Sequence, residues 1–402
     1  MKTNVNEKII HNSNKKMKKL EILMVSTYPP DIDGIAAYTA RLENALKEKI
    51  SIKIAAKGRD WKSNSLYYVF DIIKKTIKTR VGVIHFQLSY FLFGNEYYGS
   101  IFPVLLLLIK LLRKKVVITF HDLLRSNVIT NNFLKKYTTK RLLFFKKIAF
   151  INYTKIVCLI ADKIIVHDEI GKNTLIHDYS IPEKKIQIIP HGIDQKPIFS
   201  KVQQSLLEKN FPKNKKSFIV TYFGLVKYGK GLEDLIKAWK LVRNVNAQLL
   251  IIGGKPPTNL NDDCLEKLTE LVNELQLQES ISFCGYIPDD ELPIYFEASD
   301  VFVFPYNEWG DVIASSGALS VVAPYLKPII ATNVPAFHSL KKQGTAIIVE
   351  RGNIEELAKA IQSVLKNKEL GCMVSDKLCK WISDHDWLKI ADKTSKLYGD
   401  LL

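Results

Sequence analysis

The sequence predicts an α/β protein built as two Rossmann-like, doubly wound parallel-sheet domains that face each other across a cleft. Three observations predict it. Short, mostly apolar runs bounded by polar or turn residues recur along the chain, as buried parallel strands do. Most segments between them are long enough for the crossover helices that parallel strands need. The plan occurs twice, and 402 residues suffice for two domains.

Residues 1–19 are polar and Lys-rich, lack the apolar stretch of a signal peptide, and read as a disordered basic tail. The first domain is expected over 20–200, with strands at Leu20–Ser26, Ile52–Ala56, Val83–Gln87, Val116–Phe120, Ile164–Val166 and Ile186–Ile189. A largely polar stretch with two prolines, 196–216, reads as the linker. The second domain is expected over 214–384, with strands at Phe218–Phe223, Gln248–Ile252, Ile281–Phe283, Val301–Phe304, Ile329–Ala331 and Ala346–Val349. Its helices show one apolar face each: Leu232–Val242 carries Leu235, Ile236 and Trp239, and Cys264–Leu275 carries Leu268, Leu271 and Val272. A third helix starts at Asn353, with Glu356 three residues on as in a capping box.

Composition bounds the function. Hydrophobic residues make up 47% and charged residues 25%, which excludes a disordered or collagen-like chain. Five scattered cysteines without CxxC spacing exclude a disulfide framework and read as reduced thiols of a cytosolic protein. No apolar run approaches the roughly 20 residues of a spanning helix. The net charge is +17, yet residues 1–200 carry 34 Lys and Arg against 16 Asp and Glu, while the rest is nearly balanced. The basic excess of the first half suits an anionic partner, membrane or nucleic acid, or else is a Lys-rich composition without one.

Four motifs sit at or beyond strand ends, where ligands bind in such sheets. Ser26 to Tyr38 is a turn leading to a helix after Gly34, where backbone N–H groups and the dipole suit a phosphate; taken alone, the plain βα turn is the favoured alternative. His121 and Asp122 follow the fourth strand, His121 to contact substrate, Asp122 to orient it or bind a hydroxyl; the alternative is a structural histidine. Gly224 to Gly231 holds Lys227 and Lys230, two mobile charges suited to a diphosphate, or an ordinary basic loop. Ser316, Gly317, Ala318 and Leu319 open a helix, exposing N–H groups or serving close packing.

In this order the motifs resemble glycosyltransferase family four, retaining enzymes of the GT-B fold, from about Leu20 to Tyr398. ILMVSTYPP…GIAAYTARL is similar to that family's first strand and glycine loop, ITFHD to its strand end, and IIPHGID (Ile188 to Asp194) to the segment before its linker. YFGLVKYGKGLEDLIKAW is similar to its diphosphate loop, with Lys227 and Lys230 where an Arg and a Lys are usual. The region of Gly285 and Tyr286 resembles its nucleobase site, and a helix over about 385–402 its crossing back to the first domain. One departure stands out. The family's paired glutamates fall on Ile313 and Val321, neither acidic; Glu308 or Asp311 is a substitute from the preceding loop.

The resemblance implies sugar transfer from a nucleotide-diphosphate sugar to an acceptor hydroxyl, with retention and without a metal. It implies no cofactor beyond the donor co-substrate, UDP-sugar slightly ahead of GDP-sugar. His121, Lys227 and Lys230 are the expected catalytic residues, and Gly34, Asp122, Gly224, Gly285, Tyr286, Ser316, Gly317, Ala318 and Leu319 the donor-binding ones. A basic, aromatic-rich segment around Lys135, Lys136, Lys140, Arg141, Lys146 and Lys147 suits an anionic leaflet. That predicts a lipid-linked or cell-surface glycan acceptor and a peripheral place on the inner face of the plasma membrane. A packed helix with a solvated Lys face is the other reading. The missing glutamates keep a nucleotide-sugar-binding scaffold without transfer activity as the alternative. Nucleic acid is not expected as a partner, since neither a zinc finger nor an RNP-type motif is present.

Overall fold

The computed structural model describes residues 19–31, 33–90, 92–94, 96–130, 134, 143–211, 217–242, 245–255, 263–307 and 312–402. Most of the expected tail, much of the basic segment over 133–147 (including Lys135, Lys136, Lys140 and Arg141), and Glu308 and Asp311 lie outside the described residues.

The first half contributes β1 (Leu20–Ser26), β2 (Ile50–Ala56), β3 (Val83–Leu88), β4 (Lys115–Phe120), the short β5 (Asp122–Leu124), β6 (Lys163–Val166) and β7 (Ile186–Ile188). Six of these form one parallel sheet in the order β2-β1-β3-β4-β6-β7. Alternate residues of each strand go to opposite faces. Leu23 and Val25 join a core with Tyr68, Leu105, Leu106 and Val157, from the helices Tyr67–Thr79, Phe102–Leu111 and Leu143–Ile160. Ile22 and Met24 join another with Tyr38 and Leu42 of the helix Gly34–Leu46, and with Ile390 and Tyr398 of the helix Trp387–Gly399.

The second half contributes β8 (Phe218–Phe223), β9 (Ala247–Ile252), β10 (Ile281–Gly285), β11 (Val301–Phe304), β12 (Val312–Ala314), β13 (Ile329–Thr332) and β14 (Ile347–Val349). Its parallel sheet runs β10-β9-β8-β11-β13-β14, the same doubly wound plan. The helix Ile354–Lys366 is capped by Asn353, whose Oδ1 accepts from the Glu356 N–H at 3.1 Å.

Two features depart from the sequence reading. The polar stretch after residue 196 contains a helix, Lys201–Asn210, closed by a capping box in which Ser200 Oγ accepts from Gln203 N–H and Gln203 Oε1 from Ser200 N–H. None of its residues is buried, so the polar composition shows an exposed helix rather than an irregular linker. Second, β5 and β12 pair antiparallel, Leu124 with Val312, Leu123 with Ile313 and Asp122 with Ala314, and so join the two halves across the cleft.

The chain end fastens the domains. Ile193 N–H donates to the His385 carbonyl at 2.8 Å, and Asp194 accepts from Arg41 Nε and, at 2.8 Å, from Trp387 Nε1. Gly192 lies under the Trp387 ring, where a Cβ would come within 2.3 Å of the indole. Among the described residues, no helix is long and apolar enough to cross a membrane.

Candidate active site

The C-terminal strand ends of both sheets supply the site. After β1, Asp33 caps the helix Gly34–Leu46: its Oδ1 accepts from the N–H groups of Ile35 and Ala36, each at 2.8 Å, and from Thr27 Oγ1 at 3.0 Å. Two of the N–H groups expected to meet a phosphate are therefore occupied. Gly34 itself has open space where a Cβ would be, so a ligand can approach its backbone.

His121 follows β4 and lies beside Tyr38, with ring centroids 4.7 Å apart. Its Nε2 is 2.8 Å from Gln87 Oε1, so the Gln87 amide orients it. Burial, reinforced by His167 and His191, holds its pKa well below the ordinary histidine range, and the ring is neutral. Asp122 does not orient it. Its carboxylate accepts from Ser89 Oγ at 2.6 Å and from Tyr90 N–H at 3.1 Å, and burial raises its pKa to about 6.

Sequence reasoning missed the rest of this cluster. Tyr38 is ringed by His121, His167, His191 and Trp387, whose centroids lie 4.7 to 5.5 Å from its own. His167 Nδ1 donates to the Ile189 carbonyl at 2.9 Å, which leaves Nε2 as the acceptor nitrogen; it is buried and has no hydrogen-bond partner. Burial lowers the pKa of His167 to about 4 and of His191 to about 3. The available signal was position: His167 directly follows β6 and His191 lies just beyond β7, as His121 follows β4. Among the described residues no group of His, Cys, Asp and Glu is placed to hold a metal ion.

In the second domain the loop after β8 turns on Gly224, at φ +143°, whose N–H donates to the Ile252 carbonyl at 3.0 Å. Gly231 caps the helix Leu232–Leu241 at φ +71°, and a Cβ there would lie 1.7 Å from the Pro305 carbonyl oxygen. Lys230 Nζ sits 3.7 Å above the Tyr306 ring, a cation–π contact, and Tyr306 Oη is 3.1 Å from Ser316 Oγ. Ser316 caps the short helix Gly317–Val322 by accepting from Leu319 N–H at 3.3 Å. Gly317 has open space where a Cβ would be, and Ala318 packs near Gly224. Gly285, at φ +66°, ends β10 and accepts from Gly253 N–H, and Tyr286 beside it is exposed. Lys227 lies on the same loop as Lys230, and its carbonyl accepts from the Lys230 N–H.

Part of this set meets between the domains, while Gly34, Asp122, Gly224, Lys227, Lys230, Gly285, Tyr286, Gly317 and Ala318 line neither of the two cavities there. One cavity is lined by His121, His167 and Asp168 from the first domain and by Ile313, Ala314 and Ser315 from the second. A neighbouring one brings His167 and His191 against Ser315, Ser316 and Leu319. Ile313, at the position of the family's first glutamate, is only 7% exposed and is buried in the first domain's core beside Leu123. Val321, at the second, packs half-buried against the second domain's core.

Comparison with known proteins fits this geometry. A model described as "Glycosyltransferase Family 4" matches residues 32–196, and one described as "Glycosyl transferases group 1" matches 203–377. The chain belongs to the family four, group 1 glycosyltransferases. It is similar to the mannosylfructose-phosphate synthase of Agrobacterium fabrum, 25% identical over 55% of this chain and 48% of that protein. It is also similar to the capsular polysaccharide biosynthesis glycosyltransferase CapM of Staphylococcus aureus, 27% identical over 60% of this chain and 63% of that protein. The chain thus spans about half to under two thirds of the curated relatives it matches first. Among solved structures it resembles Anabaena HepE in complex with UDP, with a TM-score of 0.68, 13% identity, and coverage of 95% of this chain and 100% of that one. That likeness establishes the GT-B fold.

Proposed function

We propose that this glycosyltransferase moves a sugar, with retention, from a nucleoside-diphosphate sugar to a hydroxyl of a lipid-linked or cell-surface glycan precursor. The proposed donor is a UDP-sugar ahead of a GDP-sugar, a preference supported by the UDP bound to the HepE relative in fold. The proposed acceptor class is supported by the capsular role of the CapM relative. The proposed place is the cytoplasmic face of the membrane.

One observation carries the reading: His121 and Ser315, from different domains, line the same interdomain cavity, so both halves are needed to build one site. The donor's diphosphate is assigned to Lys227, Lys230 and the open backbone at Gly34 and Gly317. As the bond from the anomeric carbon to the diphosphate oxygen breaks, negative charge grows on the leaving group. A positioned ammonium stabilises that charge more than the ground state, which lowers the barrier. The acceptor oxygen forms its bond on the same face of the sugar, and its proton goes to the departing phosphate oxygen. His121 is neutral and held by Gln87, so its role is to contact the sugar rather than to carry charge. His167 lines the same cavity, with its Nε2 buried and unpartnered. Closure around the reactants excludes water and limits hydrolysis.

A thermal-shift titration with UDP, GDP, ADP and CMP and their sugar conjugates tests the reading. A ligand that binds only the folded state stabilises it by about 2.7 kcal/mol at about a hundredfold excess over Kd. The expected result is a shift with one nucleoside diphosphate and its sugar conjugate. No shift with any of them, from folded protein, would leave a scaffold instead.

A further inference from the structure

Three helices cover one face of the first sheet side by side: Tyr67–Thr79, Phe102–Leu111 and Leu143–Ile160. Their inner faces are buried. Their outer faces are apolar as well, which a soluble protein's surface helix normally is not. Tyr67 is 73% exposed, Phe70 70% and Leu111 78%, and Ile77, Leu107 and Ile156 are exposed beside them. The helix Phe102–Leu111 reads FPVLLLLIKL, with Lys110 as its one polar side chain.

The charge around this wall is strongly positive. Residues 66–80, 101–115 and 143–160 together carry eleven Lys and Arg against a single Asp, Asp71. Lys110 is paired with Asp162, and Lys75 with Asp60, but Lys74, Lys78 and Arg113 are exposed at the rim. Apolar side chains ringed by cations match the interfacial zone of an anionic bilayer: acyl boundary for the leucines and aromatics, lipid phosphates for the lysines. A second copy docked on the same face would set two strongly basic surfaces against each other. Residues 1–18 and 131–142 are also net basic and would be repelled from it.

We infer that this three-helix wall is a docking face for an anionic lipid surface. The wall lies on the sheet face opposite the helix Trp387–Gly399, so the flank, and not the cleft, meets the bilayer. This rests on the proposed membrane-side function and specifies which surface performs it. It goes beyond the basic segment around Lys135 to Lys147 by assigning the contact to helices that are otherwise fully packed.

The test is flotation of the full chain with vesicles of phosphatidylcholine alone or mixed with phosphatidylglycerol, at low and high salt. The wild type is expected to float with the anionic vesicles at low salt and much less with neutral ones. Leu107→Glu with Leu111→Glu is expected to weaken flotation at least about tenfold, since it places charge at the apolar centre and repels the lipid phosphates. Leu388→Glu, on the opposite face, is expected to float as wild type. A donor-nucleotide thermal shift run on all three proteins separates folding from docking. Equal flotation of the double variant, or of the wild type on neutral and anionic vesicles, overturns the inference. So does a wild-type dimer in sedimentation velocity that the double variant loses. A wild type that stays in solution yet binds nucleotide refutes the docking face and leaves the donor reading; one that floats but binds no nucleotide does the reverse.

Discussion

Acidification should destabilise this protein through its buried histidines: His167 and His191 beside Tyr38, and His85, whose ring lies against Tyr398. Burial holds the pKa of His85 and of His191 down to about 3 and that of His167 to about 4, against an ordinary 6.5. The folded chain keeps these rings neutral, while the unfolded chain binds protons once the pH drops below 6.5. The unfolded state then holds more protons, so stability falls as pH falls, from about 6.5 down to the folded values of about 3 to 4. At about pH 5.5 each ring costs between about 1 and 2 kcal/mol, and the three together about 4 kcal/mol. Asp122 opposes this, because its raised pKa of about 6 means the folded state binds the extra proton below that pH. It returns about 1 kcal/mol at about pH 5.5. Asp168, also raised by burial, adds to the offset, and His121 and His385, both lowered, add to the cost. The net loss is about 3 kcal/mol, which corresponds to roughly 6 to 12 °C in the Tm of a domain of this size. Equilibrium urea unfolding at several values between about pH 7.5 and pH 5.5 measures it. A flat or rising stability over that window would refute the burial argument.

Other substitutions separate chemistry from architecture. Lys230→Ala should lower kcat/KM for transfer about a hundredfold or more, the scale of a lost oxyanion-type donor, with stability lowered by only the roughly 0.5–1 kcal/mol of its lost cation–π contact with Tyr306. Gly34→Val fills open space and should leave the urea midpoint alone while raising the donor KM at least about tenfold, read in a transfer assay. Gly231→Ala places a Cβ against the Pro305 carbonyl at positive φ and should cost about 2 kcal/mol or more, read by urea unfolding. Ile313→Glu returns a glutamate to the family position but buries it in the first domain's core; it should cost several kcal/mol, about 3 or more, and not raise kcat.

The two sheets were legible because each buried strand is a short apolar run, and the helix Ile354–Lys366 because its cap and apolar face are local signals. The helix Lys201–Asn210 was passed over because none of its residues is fully buried and its apolar face is weak, although Ser200 and Gln203 stand at capping-box spacing. The β5–β12 pairing has no local signature: three residues show no periodicity, and the partners are far apart in sequence. Ile313 illustrates the consequence. In sequence it is only a missing glutamate, while in the fold it is a hydrophobic plug between the domains. The histidine ring was hidden for the same reason, since His121, His167 and His191 come from separate strand ends and meet only around Tyr38.

On the proposed reading, the loop of Lys227 and Lys230 holds the donor's diphosphate in the cleft. Calorimetric titration of the wild type and of the Lys227→Ala, Lys230→Ala double variant with UDP and UMP, and with GDP and GMP, tests it most directly. One diphosphate is expected to bind at least about tenfold tighter than its monophosphate, and the double variant to lose this advantage. Equal affinity for the two in the wild type, or an undiminished diphosphate preference in the variant, would contradict it.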